Sequence, residues 1–315
     1  MLISIILGTR DRADNLHHTL QSLASVEVPD GCTCELLIVD NGSTDQTSNV
    51  IAGICLPKIS VRPLFEPRQG LSSARNLGLS EARGEIIVLT DDDLRYSPEW
   101  LEVMTQPLRD SEADAVAGAM RLAPHLERDW MGPMHRMWLA APQQGLSADC
   151  NLVGANMAIA RRVLSRVSNF DPELGPGQRG FGEDTLFGAQ IREAGYQIVG
   201  VPLRTEHHFL PERLTRASFL SHAKKLGVSG AYTAYHWEHE NLKMARVNFT
   251  RKIVQLAAWR AAHPVEVQKS EGMHPGEMHH LRSLHIYGQA LLERRRPRNY
   301  EWHGLVKKMG IISTY

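Results

Sequence analysis

The feature that most constrains the fold is the alternation of short apolar runs with helix-like segments over the first 120 residues. The apolar runs Leu2–Leu7, Leu36–Val39 and Glu85–Thr90 are each bounded by a polar segment, and Leu16, Leu20 and Leu23 then recur at helical spacing. Strands that alternate with helices are typical of an α/β protein with a mostly parallel sheet. The sequence therefore predicts a Rossmann-like sheet that is flanked by helices.

The remaining elements follow from the same kind of pattern. Residues 121–150 lack periodicity and are predicted to form a loop-rich segment on the acceptor side. Ser97 and Pro98 predict a helix start, with the serine as N-cap and the proline as first helical residue. The other predicted strands and helices are Val61–Phe65, Leu71–Ala82, Ala113–Gly118, Leu152–Ala160, Glu183–Ala194 and Tyr196–Val201.

Polar side chains follow the first, second and fourth predicted strands, at the point where each strand ends. They are Thr9-Arg10-Asp11, Asp40-Asn41-Gly42-Ser43 and Asp91-Asp92-Asp93. Because the carboxyl ends of parallel strands meet at one edge of a sheet, ligands of such folds bind there. The sequence thus predicts one polar binding site assembled from three strand ends.

Three adjacent aspartates repel one another, so a cation is their natural partner. Mg²⁺ or Mn²⁺ is commonly held by one or two carboxylates while substrate phosphates supply other ligands. Asp91 to Asp93 therefore predict a metal and diphosphate site, with a solvated acidic turn as the alternative. Asp40 and Asn41 suit the edge of a nucleobase or a plain turn, and Arg75 at a helix start suits a phosphate.

The ordered motifs resemble the family 2 glycosyltransferases of the GT-A fold over residues 1–210. The motifs are Thr9-Arg10, Asp40-Asn41-Gly42-Ser43, Gly70-Leu71-Ser72-Ser73-Ala74-Arg75-Asn76, Leu89-Thr90-Asp91-Asp92-Asp93 and Gly182-Glu183-Asp184. The resemblance implies a nucleotide-sugar donor (UDP-, GDP- or dTDP-sugar), a divalent cation at Asp91 and Asp93, and inversion at the anomeric carbon. The nucleotide contacts expected from the strand ends and the resemblance are Thr9, Arg10, Asp11, Asp40, Asn41, Arg75, Asp91 and Asp92.

Glu183 and Asp184 open a predicted helix after a glycine-rich stretch. Inverting transfer needs a carboxylate that takes the acceptor's proton, and a helix N-terminus keeps such a group ionised. Acidic residues are also common in a first helical turn for purely structural reasons. The resemblance implies that Asp184 is the catalytic base, with Glu183 beside it.

Two further assignments come from the resemblance. Gly154-Ala155-Asn156 matches a donor-sugar and acceptor pocket, although a tight strand with a buried asparagine fits equally well. His207 matches a metal ligand. Since neighbours on an extended segment point to opposite faces, at most one of His207 and His208 binds, and a surface histidine pair is the alternative.

The resemblance divides the chain into a catalytic domain at 1–210 and a mainly helical extension at 211–315. The tail lacks the Q-x-x-R-W motif of processive synthases, which predicts transfer of a single sugar to a glycan or lipid-linked acceptor. Its basic cluster Arg294–Arg298 predicts peripheral contact with an anionic membrane or binding of a lipid diphosphate acceptor, with a solvated helix end as the alternative.

Composition narrows the class of protein. The chain has 35 basic and 35 acidic residues, a balance that argues against a nucleic-acid partner. The four cysteines match no zinc spacing. The N-terminus lacks the features of a signal peptide, and no apolar run approaches the roughly 20 residues of a membrane span. The sequence thus predicts a cytoplasmic protein, peripheral to the inner face of the membrane if the tail binds there.

Two alternative functions are open at this point. A sugar-1-phosphate nucleotidyltransferase would need a glycine-rich loop followed by a proline and a catalytic lysine, and residues 11–25 contain neither proline nor lysine. A catalytically inactive protein that binds sugar nucleotides is the second alternative. The intact carboxylates at 91–93 and 183–184 argue against it.

Overall fold

The computed structural model describes residues 1–141 and 150–304, except for the side chains of residues 203 and 204. In this part of the chain eight strands form one sheet in the order β3-β2-β1-β4-β7-β6-β8-β5. The strands are β1 (Leu2–Thr9), β2 (Thr33–Asp40), β3 (Ser60–Phe65), β4 (Ile86–Asp91), β5 (Leu94–Arg95), β6 (Ala115–Leu122), β7 (Asn156–Ala160) and β8 (Ile198–His207).

Helices cover both faces of the sheet and form most of the C-terminal part. They are α1 (Ala13–Leu23), α2 (Thr47–Gly53), α3 (Leu71–Glu81), α4 (Trp100–Arg109), α5 (Pro133–Trp138), α6 (Glu183–Glu193), α7 (Arg216–His236), α8 (Ala245–Ala262), α9 (Pro264–Gln268) and α10 (Pro275–Glu293). The predicted α/β architecture with a helical C-terminal region is confirmed.

Strands β1, β2 and β4 are buried on both faces, which explains why their sequences are continuous apolar runs. Alternate residues of the strands feed two cores. Ile3, Ile5 and Leu7 of β1 pack with α1 and α4, whereas Ile6 packs with residues of α3 and α6. The leucines of α1 are fully buried, and each such burial contributes about 1.5–3 kcal/mol.

The sheet is mixed. Strands β3, β2, β1 and β4 run parallel, and β6 runs parallel to β8. Strand β7 runs antiparallel to both of its neighbours, and β5 runs antiparallel to β8. The parallel register pairs Thr9 with Asp40 and Gly8 with Asp91. The three polar strand ends therefore do meet at one edge, as predicted.

Helix α4 begins later than predicted. Its first residue is Trp100, and the hydroxyl of Ser97 has no hydrogen-bond partner among the described residues. The backbone amide of Trp100 instead donates to the carbonyl of Ser97 at 3.1 Å. The Ser-Pro pair thus forms a turn before the helix, and the predicted serine cap is wrong.

The loop-rich segment at 121–150 lies partly outside the described residues. Its described part contains α5 and a short 3-10 turn, so it is more helical than predicted. Trp138 and Leu139 from this segment pack with Phe219 of α7 and Met278 of α10. The helical extension is therefore joined to the sheet region by a continuous apolar core.

Candidate active site

A cavity of about 920 Å³ lies at the carboxyl ends of β1 and β4. This volume is in the usual range for small-molecule sites. The predicted site residues that line it are Thr9, Arg10, Asn41, Arg75, Asp91, Asp92, Asp93, Gly154, Ala155, Glu183, Asp184 and His207. The fold therefore brings most of the predicted residues to one place.

The aspartate triplet is held by side chains from β1 and from the residue that precedes α1. The Thr9 hydroxyl donates to Asp92 Oδ2 at 2.7 Å, and Arg12 Nη1 donates to Asp92 Oδ1 at 3.2 Å and to Asp93 Oδ2 at 2.9 Å. Burial, reinforced by Asp93, raises the pKa of Asp92 to about 7. Arg12 therefore offsets part of the repulsion between the aspartates. From the sequence alone, a metal ion was expected to relieve that repulsion.

The short strand β5 determines what faces Asp93. Leu94 pairs with His207 at the end of β8, which brings His207 Nε2 to 3.4 Å from Asp93 Oδ2. The Nδ1 atom of His207 donates to the carbonyl of Leu139 at 3.0 Å, since a carbonyl oxygen can only accept. The other carboxylate oxygen, Asp93 Oδ1, is buried and has no hydrogen-bond partner among the described residues.

Arg75 is a deeply buried cation at the base of the cavity. Its Nη2 donates to Asp91 Oδ1 and its Nη1 donates to Glu183 Oε1, both at 2.9 Å. Burial, together with the neighbouring Asp184, raises the pKa of Glu183 to about 7 despite the attraction of Arg75. Glu183 is thus engaged in an internal ion pair that links α3 to the start of α6.

This pKa shift predicts a specific pH dependence of stability. Because the pKa of folded Glu183 lies above its ordinary value of 4.5, its stabilising contribution is complete below that pH and is lost as the pH rises through about 7. Glutamine cannot titrate. Between pH 5 and pH 8, urea unfolding should show the wild type losing up to about 3 kcal/mol relative to Glu183→Gln. A difference that does not change with pH would contradict the assignment.

Asp184 has a different environment from Glu183. It lies in the first turn of α6, is only partly buried and lines the cavity. Its Oδ2 accepts from the amide of Gly154 at 2.9 Å, and its Oδ1 accepts from the amide of Thr185 at 2.7 Å. A side chain at position 154 would place its Cβ 2.5 Å from Arg75 Nη1, so any larger residue there would have to displace the buried guanidinium. The carboxylate is thereby fixed while it remains accessible from the cavity.

Some predicted residues are not part of the cavity lining. Asp40 is buried and accepts from the Ser43 amide at 2.8 Å and the Ser48 hydroxyl at 3.0 Å, so it closes its own turn. Asp11 is exposed and accepts from the Thr44 amide at 2.6 Å. Both carboxylates organise the loop after β2.

Asn156 is placed as the alternative for its motif predicted, in a buried strand and outside the cavity lining. Its side chain is fully buried, accepts from Trp100 Nε1 at 2.9 Å and donates to the Thr205 hydroxyl at 3.1 Å. Ala155 lies in the turn before β7 and lines the cavity, whereas Asn156 is the first residue of the strand and is buried in the core. Asn41 lines the cavity, but its side-chain oxygen accepts from the Gly70 amide at 2.8 Å.

Sequence reasoning missed the basic residues of the cavity wall. Arg12 lies just beyond the recognised motif, and Arg213, His222 and Lys225 come from the helical extension. The guanidinium of Arg213 lies 4.5 Å from the Phe209 ring, and in the described ranges no carboxylate comes within 4.0 Å of it. In the sequence, these residues are distinguished only by their basic character. No sequence pattern indicates that α7 packs against the edge of the sheet.

The comparisons with known proteins agree with this architecture. Residues 4–167 match the model of glycosyl transferase family 2. The succinoglycan biosynthesis protein ExoM of Rhizobium meliloti is 30% identical over 228 residues, which are 70% of each chain. Glycosyltransferase AglE of Haloferax volcanii is 29% identical over 117 residues, or 37% of this chain and 38% of that protein. The chain belongs to glycosyltransferase family 2 and is a transferase.

A solved structure supports the fold. The mannosyltransferase PcManGT of Pyrobaculum calidifontis, in complex with GDP-mannose and Mn²⁺, is 18% identical with a TM-score of 0.54. The match covers 93% of this chain and 74% of that one. It therefore includes most of the helical extension as well as the sheet.

Proposed function

We propose that this protein transfers a single sugar from a nucleotide-diphosphate sugar to an acceptor hydroxyl, with inversion at the anomeric carbon. The observation that carries the proposal is the contrast between two neighbouring carboxylates. Glu183 is buried against Arg75, whereas Asp184 is held by two amides and opens into the cavity. Of the two, Asp184 is the one placed to receive a proton from an incoming hydroxyl.

The residues around Asp93 fit a divalent cation. Asp93 Oδ1 is a buried carboxylate oxygen without a partner among the described residues, and His207 donates through Nδ1 to a backbone carbonyl, an arrangement typical of metal-bound histidines. Across the described ranges, no group of three or more His, Cys, Asp or Glu side chains could hold a metal by itself. Asp93, His207 and Asp91 would hold Mn²⁺ or Mg²⁺ together with donor phosphates. The cation would supply positive charge to the departing diphosphate.

Positively charged side chains of the cavity would also stabilise the departing diphosphate. Arg12, Arg75 and Arg213 all line the cavity beside the aspartates. A guanidinium can donate two hydrogen bonds to a phosphate, and fixed positive charges stabilise the negative charge that develops on a leaving diphosphate. Arg213 is the best candidate for this contact, since it has no carboxylate partner in the described part of the chain.

The chain then has to position the donor and the acceptor and to accept one proton. The acceptor hydroxyl attacks the anomeric carbon from the side opposite the diphosphate, its proton passes to Asp184, and the bond between the sugar and the diphosphate breaks. Asp184 lies in the first turn of α6, close to the positive end of the helix dipole. ExoM is named for succinoglycan biosynthesis, which supports a glycan or lipid-linked glycan as the acceptor.

A donor screen tests the proposal. UDP-, GDP- and dTDP-sugars are added with and without Mn²⁺, and both melting temperature and release of nucleoside diphosphate are measured. We expect one nucleotide class to raise the melting temperature, to do so more strongly with Mn²⁺, and to be slowly hydrolysed with water as the acceptor. Binding without hydrolysis would indicate an inactive binding protein. In a separate assay with a nucleoside triphosphate and a sugar phosphate, release of pyrophosphate would indicate a nucleotidyltransferase.

A further inference from the structure

Helix α8 is unusually exposed for its length. Of its 18 residues, only Ala245 and Leu256 are buried. Helices of this length in water are stabilised mainly by an apolar face packed on the protein, and most of α8 is not buried in this way. The exposed side of α8 is therefore a candidate contact surface.

The exposed side of α8 is apolar along its length. Val247 is 58% exposed and Val254 is 63% exposed. These residues are seven positions apart, close to two helical turns, so they lie on the same face. The apolar surface continues at the helix ends with Met244 and Val265, which are 58% and 73% exposed, and on the helix itself with Ile253, which is 46% exposed.

The charges around this apolar surface have one sign. Residues 241–265 contain five basic residues and no acidic residue. Arg260 pairs with Glu277 of α10, but in the described ranges no carboxylate lies within 4.0 Å of Lys243, Arg246 or Arg251. The pattern is that of a basic amphipathic helix, whose apolar side chains are flanked by cations that are free to contact an external anion.

We propose that this surface binds an anionic lipid bilayer, with α8 lying in the plane of the headgroups. The α8 surface is defined here as Lys243, Met244, Arg246, Val247, Arg251, Val254 and Val265. Its valines and methionine would enter the boundary between headgroups and acyl chains, and its cations would contact lipid phosphates. The predicted basic cluster at 294–298 borders the same side, because Arg294 and Arg298 line a shallow surface pocket together with Lys243.

Binding to the surface of a bilayer explains the α8 surface better than a second copy of the chain or a membrane-spanning helix does. A second copy docked through the same surface would bring two basic patches together, since a twofold interface uses the same patch on both partners. Among the described residues, no helix is long and apolar enough to cross a membrane. Surface binding is the mode that uses both the exposed valines and the cations beside them.

Vesicle sedimentation tests the proposal on the full chain. One set of vesicles is pure phosphatidylcholine, and the other contains about 30% phosphatidylglycerol. We expect binding only to the second set, and release when salt is raised. Arg246→Gln with Arg251→Gln should weaken binding about tenfold or more. Val247→Asp with Val254→Asp should remove it. The matched control, Lys58→Gln with Arg83→Gln, removes two exposed cations far along the chain and should bind like the wild type.

Several results would overturn the proposal. They are no binding of the wild type, equal binding to both vesicle sets, or unchanged binding of the α8 variants. Light scattering provides a further check: a dimeric wild type and a monomeric Val247→Asp, Val254→Asp variant would assign the surface to a second copy instead. Because all substituted side chains are solvent-exposed or partly so, melting temperatures should stay within a few degrees of the wild type, which separates loss of binding from loss of fold.

Discussion

Asp184→Asn is expected to lower kcat by about 10²-fold or more, the scale of a lost general base. Asparagine keeps the size of the side chain and can still accept from the Gly154 amide, so the cavity should keep its shape. What is lost is the ability to take the acceptor's proton. Donor affinity should change little, because the hydrogen bonds of Asp184 go to the backbone of Gly154 and Thr185 and not to the aspartate triplet.

The measurement is release of nucleoside diphosphate at saturating donor, with water as the acceptor and then with a glycan acceptor once one is known. Glu183→Gln is the matched control, since it removes the neighbouring carboxylate from the same helical turn. It should reduce kcat less and should mainly disturb the position of Arg75, whose Nη1 donates to Glu183. An inactive Glu183→Gln beside an active Asp184→Asn would reassign the base, and two active variants would reject a protein base at this helix.

The sheet and the position of its binding edge could be predicted from the sequence, because both follow from local patterns. Parallel strands produce apolar runs, and the polar residues after those runs must meet at one edge. The pairing of Thr9 with Asp40 and of Gly8 with Asp91 confirms this expectation. The assignment of the family depended on the order of the motifs along the chain, and the family match confirms it.

The details of the candidate site depend on contacts between distant segments, and these could not be predicted. His207 faces Asp93 because the two-residue strand β5 pairs with the end of β8. A strand of that length has no periodicity to detect. Arg213 reaches the cavity because the extension packs on the apolar core around Trp138 and Phe219. The sequence motifs predicted a site made only of residues from the sheet region, whereas the helical extension supplies one wall of the cavity.

The placement of Asn156 has a different origin. Its motif, Gly-Ala-Asn, was assigned to the pocket as a unit, although Gly154 and Ala155 form a turn and Asn156 begins strand β7. The structure uses Gly154 for its amide and its lack of a side chain, and buries Asn156 against Trp100. Residues of one motif can therefore have separate tasks, one in the cavity and one in the core.

Asp93→Asn is expected to remove most of the gain in donor affinity that Mn²⁺ provides. Asp93 Oδ1 is the buried carboxylate oxygen without a partner in the described part of the site, and the substitution halves the number of oxygens on this side chain. Loss of a charged ligand should reduce the Mn²⁺-dependent gain by about tenfold or more, equivalent to about 1.4 kcal/mol. Titration calorimetry with the donor found in the screen, with and without Mn²⁺, measures this ratio directly.

Asp92→Asn is the control that tests whether the metal prefers Asp93 over its neighbour. Asp92 carries the same type of side chain with similar burial, but both of its oxygens are engaged, one by Thr9 and the other by Arg12. Its amide variant should therefore retain the Mn²⁺-dependent gain, even if overall affinity falls. Retention of the full gain by Asp93→Asn together with its loss in Asp92→Asn would move the metal to Asp92. If both variants kept the gain, neither Asp92 nor Asp93 would be a metal ligand, and Asp91 would have to hold the cation together with the donor phosphates.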